Sequence, residues 1–290
     1  MPDVNSPYKP GTPCWVDLMV PDQQAALDFY RDLFGWQGEV GPPETGGYAV
    51  CTLNGKPVAG IATAISPDGG PTPPTVWTTY LATSDADTRE KKIAGNGGTV
   101  IMPGVDVLTL GRMSLAADPT GAVFGLWQAQ DFSGAQVVNE PGAFIWSELN
   151  TSDPDAASTF YSSILGITRA PMDGEDGYSA LEVDERTVAG MQGLDKMPPG
   201  TPSHWLTYFA VNDTDSTIEA LIRAGGNVLR PPFNMTAGRM AVVQDPQGGK
   251  FAIITPSPPS PADPDTRTQG ECQALGSAAR LPTWQAGRTP

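Results

Sequence analysis

The chain repeats itself once over most of its length, and this repeat limits the folds that it can adopt. Residues 13–22 recur as residues 144–153, and the Asp-Pro-x-Gly turn at residues 118–121 recurs at 245–248. The spacing between matching positions stays nearly constant from one end of the repeat to the other. Two tandem copies of one domain therefore make up the chain. Further matching motifs are Phe29-Tyr30 with Phe160-Tyr161, Val58-Ala59-Gly60 with Val188-Ala189-Gly190, Trp77 to Tyr80 with Trp205 to Tyr208, and Gly111-Arg112-Met113 with Gly238-Arg239-Met240.

Within each copy, the hydrophobic pattern predicts two related halves. Residues 15–20 alternate between an apolar face and a mixed face, which is typical of a half-buried strand. Asp22 is a predicted helix N-cap, and Gly35 ends the helix that follows. Short alternating runs continue to Thr63, and the second half repeats this order from Val76. Each half therefore reads as βαβββ, and the fold class is α+β.

The repeat also sets the predicted domain boundaries. The first domain spans residues 10–129 and the second spans residues 142–256, with a linker at about residues 130–141. Residues 257–290 are rich in proline and serine and show no hydrophobic period, so we expect a disordered tail.

Charge and composition exclude several classes of partner. Lysine and arginine total 17 against 32 aspartates and glutamates, for a net charge of −15. Such a surface repels nucleic acid and anionic lipid, and it attracts cationic small molecules. No apolar run approaches the ~18 residues of a membrane span, and residues 1–7 do not resemble a secretory signal. The three cysteines form no paired motif, so we expect a reducing, cytoplasmic location.

Each copy contains a strand, an aspartate, a helix with Phe-Tyr, and Asp-Pro-x-Gly before the last strand. This order of motifs resembles the vicinal-oxygen-chelate superfamily, which includes glyoxalases, bleomycin-resistance proteins and dioxygenases. The resemblance covers roughly residues 10–256. It implies that the paired βαβββ modules of each copy curl into a cupped, barrel-like sheet around one pocket. The Pro-x-Trp-x-Asp-Leu opening at residues 13–18 resembles tandem-domain actinobacterial proteins that occur with antibiotic biosynthesis, some labelled hydroxylases or resistance proteins.

Metal-using members of that superfamily place His, Gln or Glu at three inner strand positions, and the matching positions here hold no such ligands. By motif spacing these positions fall near Trp15, Thr78 and Gly125 in the first copy and near Trp146, Leu206 and Ala252 in the second. The single histidine, His204, cannot build a two-His-one-carboxylate iron site. We expect it to be a surface or hydrogen-bonded histidine rather than a catalytic base. We therefore expect no metal and no cofactor. An oxygen-only magnesium or manganese site at Asp17 or Glu148 stays open.

Aromatic and acidic side chains stand where metal ligands would be. Strand alternation turns Trp15 and Asp17, and likewise Trp146 and Glu148, toward the pocket. A cavity with aromatic walls and one acid suits a flat aromatic ligand, either neutral or cationic. The candidate ligand-binding residues are Trp15, Asp17, Tyr48, Trp77, Tyr80 and Arg112 in the first copy, and Trp146, Glu148, Tyr178, Trp205, Tyr208, Phe233, Met235 and Arg239 in the second.

Alternatives stay open at several of these positions. Trp77 and Trp205 could instead fill the core. Arginines 112 and 239 could either close the pocket rim or pair with Asp17 and Glu148. Residues 233–235 are expected in a loop that covers the ligand.

Together these observations predict a metal-independent binding protein for an aromatic natural product. The resemblance implies an anthracycline-like polyketide antibiotic, held for sequestration, for self-resistance, or as an accessory to a biosynthetic enzyme. The rival prediction is a cofactor-free hydroxylase, oxygenase or isomerase of a polyketide, with Asp17 or Glu148 as general base. We expect a monomer or a homodimer.

Overall fold

The computed structural model describes residues 4, 6–66, 70, 72–172 and 177–258, and it contains one mixed sheet for each copy. Beyond Pro258, the predicted tail lies outside the described residues. No helix in the described part of the chain has the length and apolarity needed to cross a membrane. The elements of the first copy are β1 (Pro13–Val20), α1 (Gln23–Phe34), β2 (Ala49–Leu53), β3 (Lys56–Thr63), β4 (Val76–Ala82), α2 (Ala86–Gly95), β5 (Thr99–Val107), β6 (Gly111–Ala117) and β7 (Val123–Ala129).

The second copy follows the same order with one more strand. Its elements are β8 (Phe144–Thr151), α3 (Pro154–Leu165), β9 (Thr168–Pro171), β10 (Tyr178–Val183), β11 (Arg186–Gly193), β12 (His204–Ala210), α4 (Thr214–Arg223), β13 (Asn227–Met235), β14 (Gly238–Gln244) and β15 (Lys250–Pro256).

Each sheet joins the two halves of its copy at the centre. The first sheet has the order β2-β3-β1-β4-β7-β6-β5, and the second has the order β13-β14-β15-β12-β8-β11-β10-β9. The central pairs, β1 with β4 and β8 with β12, are antiparallel. The structure confirms the α+β class and the two tandem domains. Both sheets are open cups rather than closed barrels.

Three of the four halves have the predicted βαβββ order, and the first half lacks one strand. The segment that matches β9 forms only a single bridge, between Gln37 and Thr52. Gly41, Pro42 and Pro43 follow at once. Because proline has no N–H to donate to a neighbouring strand, pairing cannot extend through this segment.

The helix boundaries follow the capping residues that the sequence predicts. The Asp22 carboxylate accepts a hydrogen bond from the Ala25 amide at the start of α1, and Asp153 caps α3 in the same way. Gly35 and Gly166 end these helices with φ values of 76° and 72°, in the left-handed region that glycine tolerates.

The helix-bearing faces of the two sheets pack against each other, so the core spans both copies. The first helix brings Phe34 against Phe209 of the other sheet, with ring centroids 5.1 Å apart. At the middle of the interface, the hydroxyls of Thr79 and Ser147 lie 3.2 Å apart. This packing leaves the opposite face of each sheet free to form a cup.

The repeated motifs hold the two copies together reciprocally. Tyr30, from Phe-Tyr of the first copy, donates a 2.8 Å hydrogen bond to Asp245, from Asp-Pro-x-Gly of the second copy. Tyr161 donates to Asp118 in the reverse direction, at 3.2 Å. Each aspartate also accepts backbone N–H groups of its own turn. Because both motifs occur in each copy, the same type of contact forms twice across the interface.

Candidate functional site

The two concave faces carry the acids that the sequence places inward. We call the face around Trp15 and Asp17 cup 1, and the face around Trp146 and Glu148 cup 2. All four side chains are buried, at 2–5% exposure. Their hydrogen bonds show which side chains each tryptophan and acid contact.

In cup 1 an unbroken chain of hydrogen bonds ties the aromatic side chains to Asp17. The Trp15 indole Nε1 donates to the Tyr48 hydroxyl at 2.7 Å. The Tyr48 and Tyr80 hydroxyls then donate to the same carboxylate oxygen of Asp17, Oδ2, at 3.2 and 3.0 Å. The structure thus brings four of the predicted residues together.

The second carboxylate oxygen of Asp17 takes no part in this hydrogen-bond network. Its Oδ1 is buried and has no hydrogen-bond partner among the described residues. Burial raises the pKa of this carboxyl from 3.8 to about 7, although the hydrogen bonds from Tyr80 and Tyr48 act in the opposite direction. Near neutral pH, the carboxyl group of Asp17 in cup 1 is therefore partly protonated.

Two glycines make room for the tyrosines of cup 1. A Cβ at Gly60 would lie 1.8 Å from the Tyr48 hydroxyl, and one at Gly125 would lie 2.1 Å from the Tyr80 ring. Both distances are far below van der Waals contact, so any larger residue would displace the rings. In the second copy Gly190 receives Tyr178 in the same way.

Cup 2 repeats the tryptophan–tyrosine contact and surrounds its acid with amides. The Trp146 indole donates to the Tyr178 hydroxyl at 3.1 Å. Glu148 Oε1 accepts hydrogen bonds from the side-chain amides of Asn150 at 3.1 Å and Gln192 at 2.9 Å. The matching positions of cup 1 are apolar, because Met19 and Ala62 stand there.

Tyr208 lies beside Glu148 in cup 2 and matches Tyr80 of cup 1. Burial, together with the neighbouring Glu148 charge, raises the pKa of the Tyr208 hydroxyl well above its ordinary value. The phenol is therefore neutral and can donate its proton in a hydrogen bond.

The sequence reasoning missed two residues at the cup rims. Arg230 of β13 lies over the Phe233 ring, with its guanidinium carbon 3.7 Å from the ring centroid. Phe132, from the linker between the copies, packs edge-on against Trp15, with centroids 5.0 Å apart. A position-by-position comparison of the copies could have singled out Arg230, because strand register matches it to Met102. No sequence signal indicates where the linker folds.

One row of inner residues in each cup offers no ligand for a divalent metal. In each copy a row of residues crosses the three central strands: Trp15, Tyr80 and Gly125 in the first sheet, and Trp146, Tyr208 and Ala252 in the second. These rows supply no carboxylate, imidazole or thiolate. Within the described residues, no group of three or more His, Cys, Asp or Glu is placed to hold a metal ion. His204 Nδ1 lies 2.8 Å from the Pro202 carbonyl oxygen.

Two predicted ligand-binding tryptophans lie on the other face of their sheets. Trp77 donates to the Tyr30 hydroxyl at 3.1 Å and packs against Phe209 of the other copy. Trp205 donates to Tyr161 at 2.9 Å. The structure therefore corrects the prediction that these two side chains line the cups, because odd-numbered positions of β4 and β12 face the domain interface.

The two predicted arginines also lie away from the cups. Arg112 pairs with Asp87 of α2, at 2.9 Å. Arg239 pairs with Asp215 of α4, at 2.6 Å. Pairing with Asp17 or Glu148 was the wrong prediction, because each arginine sits on the helix-bearing face of its sheet.

Phe233 and Met235 belong to a strand rather than to a covering loop. Both lie in β13, which ends at Met235. Their half-buried side chains pack against the apolar cluster of cup 2 that contains Met240. They therefore form part of the wall of cup 2.

Both copies of the chain match the same family model. The family model described as the Glyoxalase/Bleomycin resistance protein/Dioxygenase superfamily matches residues 14–126 and 143–253. The "Putative glyoxylase CFP32" of Mycobacterium tuberculosis is 44% identical over 259 residues, which are 87% of this chain and 98% of that protein.

Two Streptomyces proteins are similar over nearly the same length. The "Anthracycline biosynthesis protein DnrV" of Streptomyces peucetius is 40% identical, and "DauV" of Streptomyces sp. (strain C5) is 39% identical. Each match covers 261 residues, or 85% of this chain and 94% of the relative.

Solved structures share the fold at low sequence identity. The Mn(II)-bound glyoxalase from Novosphingobium aromaticivorans has a TM-score of 0.56 at 16% identity, with 96% of each chain covered. An extradiol ring-cleaving dioxygenase from B. fuscum has a TM-score of 0.58 at 15% identity, covering 92% of this chain and 77% of that one.

Proposed function

Because the chain belongs to the Glyoxalase/Bleomycin resistance protein/Dioxygenase superfamily, but has an aromatic row at the inner strand positions, we propose that it binds a planar aromatic small molecule without a metal ion. The ligand class is an anthracycline-like polyketide, held in one or both cups. The observation that carries this proposal is the row of Trp15, Tyr80 and Gly125 in cup 1, with its counterpart in cup 2.

The hydrogen-bond networks prepare these aromatic walls for a flat ligand. Since the Trp15 indole and the Tyr48 hydroxyl already satisfy each other, their ring faces are held in one orientation without needing a polar group from the ligand. Offset stacking or edge contacts contribute on the order of 0.5–1.5 kcal/mol per aromatic pair beyond area burial. A cationic substituent would be further attracted by the acid of the cup and by the net charge of −15.

The names of the relatives support an aromatic polyketide over a glyoxalase substrate. DnrV and DauV are named for anthracycline biosynthesis. The name of CFP32 suggests a glyoxalase instead, but the donor set of the present cups does not fit the metal that such chemistry would use. The role would be sequestration, self-resistance or assistance to a biosynthetic enzyme. The buried free thiols Cys14 and Cys51 suit a reducing cytoplasm for that role.

One observation favours a second candidate function, a cofactor-free hydroxylase, oxygenase or isomerase. Asp17, with a pKa of about 7, could both accept and release a proton near neutral pH. Glu148 occupies the matching place in cup 2. In this alternative the acid would remove a proton from the bound polyketide.

A titration followed by product analysis separates the two candidates. Purified protein is titrated with a dihydroxyanthraquinone while tryptophan emission is recorded, and the recovered ligand is analysed by mass spectrometry. Saturable quenching with unchanged ligand supports binding. Chemically altered ligand, formed by the wild type but not by Asp17→Asn or Glu148→Gln, would favour the enzyme. A linear, unsaturable decrease in emission would contradict the proposal.

A further inference from the structure

The linker between the copies closes cup 1. Phe132 sits against Trp15 inside the cup, and the Trp127 indole donates a 2.8 Å hydrogen bond to the Phe132 carbonyl oxygen. The backbone N–H of Phe132 donates to the Leu110 carbonyl at 3.1 Å, and that of Ala135 donates to Cys14 at 2.8 Å. The linker is therefore tied to two strands of the first sheet and carries its aromatic ring into the cup.

Cup 2 lacks the side chain that anchors this closure. Strand register matches Trp127 to Ile254, which has no N–H to donate from its side chain. At the rim of cup 2, Arg230, Phe233 and Met235 are half-buried. Their side chains therefore reach the surface at the mouth of this cup.

The Arg230 guanidinium is half-buried and stacks on an aromatic ring rather than pairing with a carboxylate. Within the described residues its close contact is the ring of Phe233, and Glu148 and Tyr208 act on it electrostatically. An arginine held by stacking presents its planar fork of N–H donors in a fixed direction.

The polar groups of cup 2 are arranged on two sides of the cup. Arg230 supplies donors from β13 at the rim. Glu148 supplies a carboxylate from the centre of the sheet, with Gln192 as its amide partner. The matching positions of cup 1 hold Met102 and Ala62, so among the described residues cup 2, unlike cup 1, combines an aromatic wall with an arginine at its rim.

We infer that the two cups have diverged: cup 2 is the ligand site, and Arg230 selects an aromatic ring system that carries an acidic oxygen at its edge, whereas Phe132 closes cup 1. The acidic oxygen is a carboxylate or a phenolate, which a guanidinium binds through charge-assisted hydrogen bonds. This inference rests on the proposed binding function, and it names the site and the ligand class.

Two matched probes test the charge selection. The affinities of anthraquinone carboxylate and anthraquinone carboxamide are measured by calorimetry for the wild type, Arg230→Met and Arg223→Met. Methionine is the residue that cup 1 has at the matching position, and Arg223 is an exposed helix residue paired with Glu219, so Arg223→Met controls for the loss of one positive charge. Far-ultraviolet circular dichroism confirms that the variants are folded.

We expect one molar equivalent of carboxylate to bind the wild type, on the order of 10-fold more tightly than the carboxamide. Arg230→Met should abolish this preference and leave the carboxamide affinity nearly unchanged, whereas Arg223→Met should behave like the wild type. Phe132→Ala should not weaken the carboxylate affinity.

Three results would overturn the inference, and they are distinguishable. If both probes bind but Arg230→Met keeps the preference for the carboxylate, cup 2 is not the selective site, while the binding function stands. If Phe132→Ala or Asp17→Asn alters the affinity instead, the ligand occupies cup 1. If neither probe binds the wild type, the binding function itself fails, and this inference fails with it.

Discussion

Replacing Asp17 by asparagine should make the protein more stable at neutral pH and less sensitive to pH. In the folded protein, burial raises the pKa of this carboxyl from 3.8 to about 7. The unfolded chain releases the proton near pH 3.8, so the folded protein binds more protons between the two values. The stability that protonated Asp17 contributes is therefore full below about pH 3.8 and is lost as the pH rises to about 7.

The size of the effect follows from the two pKa values. A rise from 3.8 to about 7 corresponds to about 4 kcal/mol of unfolding free energy. Asparagine mimics the protonated acid: its oxygen can accept from Tyr48 and Tyr80, and its NH2 group occupies the place of the unpartnered Oδ1. Wild type and variant should thus have similar stability near about pH 4, and the variant should be more stable by about 4 kcal/mol near about pH 8.

Urea unfolding at several pH values measures this difference directly. Other titrating groups contribute equally to both proteins, so subtraction isolates Asp17. Asp131→Asn removes an exposed carboxylate and should stay within about 0.5 kcal/mol of the wild type throughout. A difference between Asp17→Asn and the wild type that does not change with pH would refute the raised pKa, and with it the buried network of cup 1.

Two further substitutions test the packing of the cups and of the domain interface. Gly60→Ala should displace Tyr48, lower the unfolding free energy by about 1–3 kcal/mol and change the tryptophan emission. Gly95→Ala is the control and should have none of these effects, because its Cβ would meet open space. Equal effects of the two substitutions would contradict the close approach of Gly60 and Tyr48. Tyr161→Phe removes one hydrogen-bond donor from the Asp118 carboxylate of the other copy, so the free energy of unfolding in urea should fall by about 1–3 kcal/mol. An unchanged unfolding midpoint would show that the interdomain hydrogen bond does not contribute to stability.

The sequence carries enough information to predict the architecture and the acids of both cups. A strand has only two faces, so the spacing of Trp15 from Asp17 is sufficient to place them together. Repetition of the same pair at Trp146 and Glu148 predicts the second cup in the same way. A helix cap depends only on a residue and its near neighbours in the chain, so the sequence also locates the end of α1 at Gly35 correctly.

Contacts between distant segments could not be read from local patterns. The face that Trp77 occupies depends on the register between β1 and β4, and on the second copy packing against it. Arg112 pairs with a residue of α2 because that helix folds back over the sheet. The place of Phe132 depends on the path of the linker. Arg230 is the exception, because comparison with Met102 shows a charge where the other copy is apolar.

One experiment tests metal-free binding in the cups most directly. Chelator-treated protein is titrated with the dihydroxyanthraquinone in a calorimeter, and the metal content of the same sample is measured by elemental analysis. We expect a metal content well below one ion per chain and the same Kd before and after chelation, because aromatic side chains such as Trp146 and Tyr208 supply the binding surface. Loss of binding on chelation, restored by added Mn²⁺ or Mg²⁺, would contradict this account.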